Sequence, residues 1–92
     1  MNERRSKINI LRDILHTIQK EDGKSKPTHI LYGANLSHDR LKGYLEKLMQ
    51  DGFIEKTVEN NRTYYLITIK GREFLAEFKK IQKFSEAFGI EV

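Results

Sequence analysis

Two helical patterns lie almost end to end within residues 30–54, and a strand-like segment follows them. The joining residues, Gly33-Ala34-Asn35-Leu36, leave room only for a tight turn. Asn35 readily takes the left-handed conformation that ends a helix, and Ser37 can cap the next one. After Gly52 the helical period ends, and Ile54, Lys56 and Val58 alternate with Glu55, Thr57 and Glu59, as the two faces of a strand do. These features predict two helices joined by a tight turn and followed by β-structure.

The remaining segments complete an order of three helices, a hairpin and a last helix. Ser6 fits the N-cap of a first helix, in which apolar residues from Ile8 to Ile18 recur at helical spacing. Pro27 fits the first turn of a short second helix. Strand-forming residues on both sides of Asn60-Asn61 predict a β-hairpin. Thr68 is expected to cap a last helix that runs nearly to the end of the chain.

This order predicts a mainly α fold with a small β-hairpin, namely a winged helix-turn-helix with a three-helix core and a two-stranded wing. The predicted fold also includes a long C-terminal dimerisation helix after the wing. We expect residues 1–67 to form the winged helix-turn-helix domain and residues 68–92 to form the dimerisation helix and tail. A chain of 92 residues has room for one small domain of this kind.

The sequence resembles a family of small archaeal winged-helix DNA-binding proteins that dimerise through a C-terminal coiled-coil helix. The resemblance extends from about Lys7 to Phe84 and implies a homodimer that binds double-stranded DNA. At Gly43 the chain departs from the family, where a longer polar side chain is usual, and this weakens the transfer of base-reading roles. The matching residues are Ile30-Leu31-Tyr32-Gly33-Ala34-Asn35-Leu36-Ser37, then Leu41, Tyr44-Leu45, Leu48 and Gly52-Phe53-Ile54, and finally Tyr65-Leu66-Ile67-Thr68-Ile69-Lys70-Gly71-Arg72-Glu73-Phe74-Leu75.

Catalytic and metal chemistry find little support in the sequence. Ser37-His38-Asp39 contains the residue types of a catalytic triad, but consecutive helical residues diverge by about 100° each, whereas triad side chains must converge. His16 and His29 have no metal-ligand spacing, and the chain has no cysteine. No apolar run is long enough to span a membrane. We therefore expect a cytoplasmic, non-enzymatic protein without a cofactor, a metal or a membrane partner.

The third helix is the main functional candidate. The chain carries a net charge of +4, which suits either a polyanionic partner or a merely well-solvated basic surface. Asp39 and Glu46 oppose phosphate binding. Gly43 either lets the helix backbone approach DNA closely or occupies a tolerant surface position, and the sequence leaves both open. The predicted DNA-binding residues are Ser37, His38, Arg40, Lys42, Gly43 and Lys47 on the third helix, and Lys56, Asn61 and Arg62 on the wing.

Large apolar residues line one side of the last helix at the alternating four- and three-residue steps of a coiled-coil seam, which one serine interrupts. Several exposed phenylalanines would be a liability for a lone chain, so a homodimer is favoured. The alternative is that this helix folds back onto the first. The predicted dimer interface comprises Phe74, Phe78, Ile81, Phe84, Ser85 and Phe88.

Two further hypotheses follow from the sequence. The acidic residues of the third helix leave open a protein-interaction module that does not bind DNA. RNA binding is less favoured, because Tyr64 and Tyr65 are expected to pack inward at least alternately and to leave no stacking platform. Arg4, Arg5 and Lys7 can form a flexible basic arm or a merely charged terminus. No feature of the sequence marks an effector pocket.

Overall fold

The computed structural model describes residues 5–90, and within them the chain forms helices and a small antiparallel sheet. The helices are α1 (Lys7–Lys20), α2 (Pro27–Ala34), α3 (His38–Gln50) and α4 (Ile69–Phe88). The strands are β1 (Lys24–Ser25), β2 (Ile54–Glu59) and β3 (Arg62–Ile67). This architecture confirms the predicted winged helix-turn-helix with a long C-terminal helix.

Side-chain caps begin three of the helices at the predicted residues. The Ser6 hydroxyl oxygen accepts a hydrogen bond from the Asn9 amide at 3.2 Å, and Ser37 accepts one from the Arg40 amide at 3.3 Å. Thr68 accepts one from the Gly71 amide at 3.1 Å. Each cap satisfies a backbone donor that has no partner within its helix and contributes about 1 kcal/mol. These local signals explain why the helix starts were readable from the sequence.

The sheet contains a third strand that the sequence analysis missed. Its order is β1-β3-β2, and the two residues of β1 pair with Leu66 and Tyr65 of β3. The prediction of a two-stranded sheet is therefore incomplete. The hairpin itself is confirmed, since Asn60 and Asn61 both have positive φ, at 51° and 63°. Two consecutive residues with positive φ match the type I′ turn that joins twisted strands.

The three-helix core closes through a tight contact between α1 and α2. Buried isoleucine and leucine side chains of α1 pack against α2, α3 and the sheet. At the crossing of α1 and α2, a Cβ atom added to Gly33 would lie 2.5 Å from the Thr17 hydroxyl oxygen. Gly33 is therefore needed for the close approach that fixes the angle between α2 and the rest of the core.

The start of α4 is fastened to the end of α3. The Thr68 hydroxyl donates to the Gly52 carbonyl at 2.7 Å, and the Lys70 ammonium donates to the Asp51 carbonyl at 2.7 Å. A Cβ atom at Gly71 would lie 2.5 Å from the Phe53 carbonyl oxygen. These contacts set the direction in which α4 leaves the core relative to α3.

Only part of α4 packs on the rest of the chain. Phe74, Leu75 and Phe78 lie against the core and α1, and Phe78 is 3% exposed. Beyond this region Phe84 and Phe88 are 61% and 68% exposed. The alternative prediction, that α4 folds back onto α1, therefore holds for the first half of α4. The second half carries large apolar side chains that the single chain leaves uncovered.

Candidate nucleic-acid interface

The outer face of α3 is exposed to solvent. Leu41, Leu45 and Leu48 are buried and turn the opposite side of the helix toward solvent. All nine predicted DNA-binding residues are exposed. The Ser37 hydroxyl caps α3, and this hydrogen bond holds the N-terminus of the helix in place. The fold brings His38 and Lys42 of α3 beside Lys56 of the hairpin in one groove, and Arg40, Gly43 and Lys47 line a second groove beside α1.

Basic residues flank α3 while acidic residues and a glycine occupy its middle. At about 100° per residue, Arg40 and Lys47 fall on the side of α3 nearest to α1, and Lys42 falls on the side of the wing. This placement agrees with the grooves that these side chains line, one beside Lys7 and the other beside Lys56. The ridge between the flanks carries Asp39, Gly43, Glu46 and Gln50.

Gly43 has no packing role in the single chain. A Cβ atom added there would meet no other atom within 4 Å. An interior helical glycine costs about 1 kcal/mol relative to alanine, and no neighbour of Gly43 compensates for that cost. The residue leaves a gap between the side chains in the middle of the exposed ridge.

The groove between α1 and α3 has a volume of about 320 Å³ and lies over Gly43. The side chains of Lys7, Arg40 and Lys47 line it, together with Asp39. Lys47 also donates a hydrogen bond to Asp51 at 3.0 Å, one turn further along the helix. Because this pair is exposed, it holds Lys47 only weakly and leaves its charge available.

The wing carries the other predicted residues on an ordered hairpin. Lys56, Asn61 and Arg62 are exposed. Its outer edge is tied to β1 by an ion pair between Lys24 and Glu59 at 2.6 Å. The Lys24 ammonium also lies 4.7 Å from the centre of the Tyr64 ring. These contacts join both strands of the hairpin to β1.

The basic N-terminal segment is not a flexible arm at Arg5. The Arg5 guanidinium donates to the Asp13 carboxylate at 2.7 Å and to the Asn35 carbonyl at 3.1 Å. It therefore joins α1 to the turn between α2 and α3, and the flexible-arm hypothesis is wrong for this residue. Arg4 lies outside the described residues. Lys7 is exposed, in the first turn of α1.

A cluster that resembles a catalytic site lies away from this surface. One oxygen of the Glu21 carboxylate accepts a hydrogen bond from the Ser25 hydroxyl at 2.7 Å and lies 3.1 Å from His29 Nδ1. The hydrogen bond from Ser25, together with His29, lowers the pKa of Glu21. In a triad the histidine must lie between the carboxylate and the hydroxyl. Here the carboxylate lies between them, so the arrangement is not that of a triad, in which the serine donates to the histidine.

The described part of the chain offers neither a metal site nor a membrane-spanning helix. Residues 5–90 contain no group of three or more histidine, aspartate or glutamate side chains placed to hold a metal ion. None of the helices described here has the length and apolar content that crossing a lipid bilayer requires. His16, which lies beside α4, has a pKa lowered by burial and by the nearby Arg12 and Lys20.

A second groove was not anticipated from the sequence. It has a volume of about 300 Å³ and lies between α3 and the wing. Tyr65, at its base, is 9% exposed. Strand alternation predicted that one of the two neighbouring tyrosines would face inward, but only the folded chain brings Tyr65 close to α3.

Comparison with known proteins agrees with this fold. A family model described as winged helix-turn-helix matches residues 4–86. The fold is similar to that of Sso10a-2, a DNA-binding protein from Sulfolobus solfataricus, with a TM-score of 0.79 and 28% sequence identity over 91% of this chain and 85% of that one. It is also similar to F93 from STIV, a winged-helix DNA-binding protein, with a TM-score of 0.74 and 15% identity over 87% of this chain and 92% of that one.

A sequence relative also comes from an archaeon. The uncharacterized protein MJ0287 of Methanocaldococcus jannaschii is 36% identical over 56 residues, which is 61% of this chain. The match spans 56% of that relative's length. The expected resemblance to small archaeal winged-helix proteins is confirmed by these matches. Because the family model covers nearly all of its length, the chain belongs to the winged helix-turn-helix family.

Proposed function

We propose that this chain binds double-stranded DNA as a homodimer and acts in the cytoplasm as a transcriptional regulator or chromatin-type protein, without enzymatic activity. The observation that carries the proposal is the exposed outer side of α3, on which Arg40 and Lys42 lie on opposite flanks of one ridge. The exposed bases Lys56 and Arg62 of the wing continue this surface. Membership of the winged helix-turn-helix family supports it.

The layout of α3 suits a helix placed in the major groove. The groove is about 12 Å wide and admits an α-helix. Bases on both flanks of the helix then meet the phosphate backbones on both sides, and such contacts supply most of the affinity. The gap at Gly43 lets the ridge lie deeper. Glu46, on the ridge, can accept a hydrogen bond from a cytosine amino group, which is the base contact that carboxylates make.

A second copy of the chain is the proposed partner of the uncovered half of α4. Phe84, Phe88 and Ile81 are 61%, 68% and 50% exposed, and the two phenylalanine rings lie 4.8 Å apart. Phe78 and Ser85, which were predicted at the interface, are already buried in the single chain. The proposed contact therefore centres on Ile81, Phe84 and Phe88. Two-fold symmetry would place the two α3 helices at half-sites separated by a multiple of about 34 Å.

One observation favours a second candidate, a winged helix that binds a protein. Asp39 and Glu46 occupy the ridge of α3, and no ion pair within residues 5–90 neutralises either carboxylate. A basic partner surface would complement them. Under this alternative, DNA affinity would be weak at every salt concentration, and substitution of Arg40 would not change it.

Fluorescence titration of a labelled duplex at several salt concentrations distinguishes the two. The double variant Arg40→Ala/Lys42→Ala is compared with Lys79→Ala/Lys83→Ala, which removes the same charge from exposed positions on α4. If each base contacts one phosphate, the α3 variant removes about four contacts from a dimer. The slope of log K against log salt then falls in magnitude by about 3.6. The α4 variant should keep the wild-type slope. Absence of wild-type binding at low salt, or an equal loss in both variants, would contradict DNA binding through α3.

A further inference from the structure

The groove between α3 and the wing has an apolar floor and charged walls. Leu41, Leu45 and Met49 of α3 contribute apolar side chains to it. Its volume of about 300 Å³ lies at the lower end of the range for small-molecule sites. The walls come from two elements that are fixed independently, α3 by the core and β2 by its pairing with β3. The groove is therefore a preformed feature of the fold.

Tyr65 supplies a polar group at the base of this groove that has no partner within residues 5–90. The residue is 9% exposed, and its hydroxyl makes no hydrogen bond to any described residue. Within residues 5–90, Arg5 Nε is a side-chain polar atom that is buried from solvent without a hydrogen-bond partner, and the Tyr65 hydroxyl is not such an atom. It therefore remains open toward the groove that it lines. Burial and the nearby Glu46 carboxylate raise the pKa of Tyr65, so the phenol stays protonated and can donate.

Two lysines give the groove a positive balance. Lys42 lies on the α3 wall, and Lys56 lies on the wing directly opposite Tyr65 in the strand pairing. Neither ammonium forms an ion pair within the described residues. Glu46 is the one acidic side chain among the described residues that line this groove, and His38 lies at its end. With histidine neutral, the lining carries two positive charges and one negative charge.

We propose that this groove is a binding site for a small aromatic carboxylate. The ring would lie on the apolar floor, and the carboxylate would accept hydrogen bonds from the Tyr65 hydroxyl and from Lys42 or Lys56. The Tyr65 hydroxyl is open to the groove and can donate to an acceptor of this kind, and a hydrogen bond to a charged acceptor is stronger than one to a neutral acceptor. The positive balance selects the anion over its neutral amide. Glu46 opposes the anion and keeps the affinity moderate.

Occupancy of the groove would interfere with DNA, an inference that rests on the proposed function. Lys42, Lys56 and His38 belong both to the groove lining and to the predicted DNA surface. A bound carboxylate engages the same ammonium groups that would contact phosphate. The site would therefore let a small metabolite of this chemical class lower DNA affinity by direct competition.

The direct test is a titration of the isotope-labelled full chain with 2-naphthoate, followed by amide chemical shifts. The neutral isostere 2-naphthamide is the control ligand. At ordinary ligand efficiency a compound of about 13 non-hydrogen atoms should bind with a Kd of about 1 mM. Saturable shifts at the amides of residues 42, 56 and 65 with the acid, and much weaker ones with the amide, are expected. No saturation by 10 mM (about ten times that Kd), or shifts confined to another surface, would overturn the proposal.

Three variants separate the roles of the side chains. Tyr65→Phe keeps the ring in place and should weaken 2-naphthoate binding about tenfold, the loss expected for a charge-assisted hydrogen bond. Glu46→Gln should strengthen it about threefold, because repulsion is removed. Lys47→Gln, on the opposite flank of α3, is the matched control and should bind as wild type does. Unchanged affinity in Tyr65→Phe, with an unchanged thermal unfolding midpoint, would refute the assigned role of the phenol.

Competition with DNA is measured separately from ligand binding. At a 2-naphthoate concentration of five times its Kd, the apparent Kd for duplex DNA should rise about sixfold, with sodium acetate at equal concentration as the ionic-strength control. Naphthoate binding without an effect on DNA affinity would disprove the competition. If the wild type binds naphthoate but no DNA even at low salt, the proposed DNA function fails while the ligand site stands.

Discussion

Replacing Phe84 and Phe88 together with serine should dissociate the proposed homodimer while leaving each chain folded. The two rings are 61% and 68% exposed in the single chain, so little intrachain packing is lost. Fully burying a phenylalanine is worth roughly 1.5–3 kcal/mol, and covering the exposed part of these rings is worth roughly 1–2 kcal/mol each. Four such rings in a dimer contribute roughly 4–8 kcal/mol.

Sedimentation equilibrium measures the consequence. Since each 1.4 kcal/mol changes an equilibrium constant about tenfold, the dimer Kd of the double variant should rise by at least about a thousandfold. The matched comparison is Phe78→Ala on the same helix, where the ring is 3% exposed. That change should cost roughly 3–5 kcal/mol of folding stability and lower the thermal unfolding midpoint. The double variant should leave the midpoint of the isolated chain nearly unchanged.

Two results would refute the reasoning about α4. A wild-type chain that sediments as a monomer at high micromolar concentration would mean that its exposed phenylalanines need no second copy. A double variant that dimerises with the wild-type Kd would place the contact elsewhere on the molecule. Loss of folding in the double variant, measured by circular dichroism, would show that these rings support the single chain instead.

Three other perturbations test separate parts of the structure. Gly43→Ala should raise the free energy of unfolding by about 1 kcal/mol, because the added Cβ meets nothing within 4 Å. Gly33→Ala should lower the free energy of unfolding by about 1–3 kcal/mol, because the added Cβ would lie 2.5 Å from a threonine hydroxyl oxygen on α1. Both are measured by denaturant unfolding. The hydrogen bond from Ser25 lowers the pKa of Glu21 in the folded chain below its ordinary value of 4.5. The Glu21 carboxylate therefore stabilises the fold fully above pH 4.5, and this stabilisation is lost as the pH falls through the lowered pKa of the folded chain. Denaturant unfolding at several pH values should therefore show that acid lowers the free energy of unfolding less in Glu21→Gln than in the wild type. Glu46→Gln should increase affinity for random-sequence duplex DNA several-fold by removing repulsion from phosphate, and a decrease would indicate that the carboxylate contacts a base.

Local chemistry made much of the fold predictable. Ser6, Ser37 and Thr68 cap helices because a hydroxyl at that position satisfies a backbone amide three residues later, whatever the rest of the chain does. Asn60-Asn61 specifies its turn for an equally local reason, since asparagine tolerates positive φ. The outward face of α3 also followed from periodicity, because the buried leucines fix which side of the helix remains exposed.

Features that depend on distant residues were missed. The strand β1 has two residues and exists because β3 pairs with it, so it has no periodicity of its own. Arg5 seemed free because the sequence does not show that Asp13 and the Asn35 carbonyl lie beside it. The Tyr65 groove needs α3 and the wing to meet. Each of these features arises from tertiary packing, which a single sequence specifies without displaying.

Amide chemical-shift mapping of the labelled chain with a DNA duplex at low salt addresses the proposed interface residue by residue. The largest perturbations are expected at Arg40, Lys42 and Gly43 of α3, with smaller ones at Asn61 and Arg62 of the wing, and all should vanish as salt is raised. Perturbations concentrated on Lys79 and Lys83 of α4, or none at any salt concentration, would contradict DNA recognition through α3.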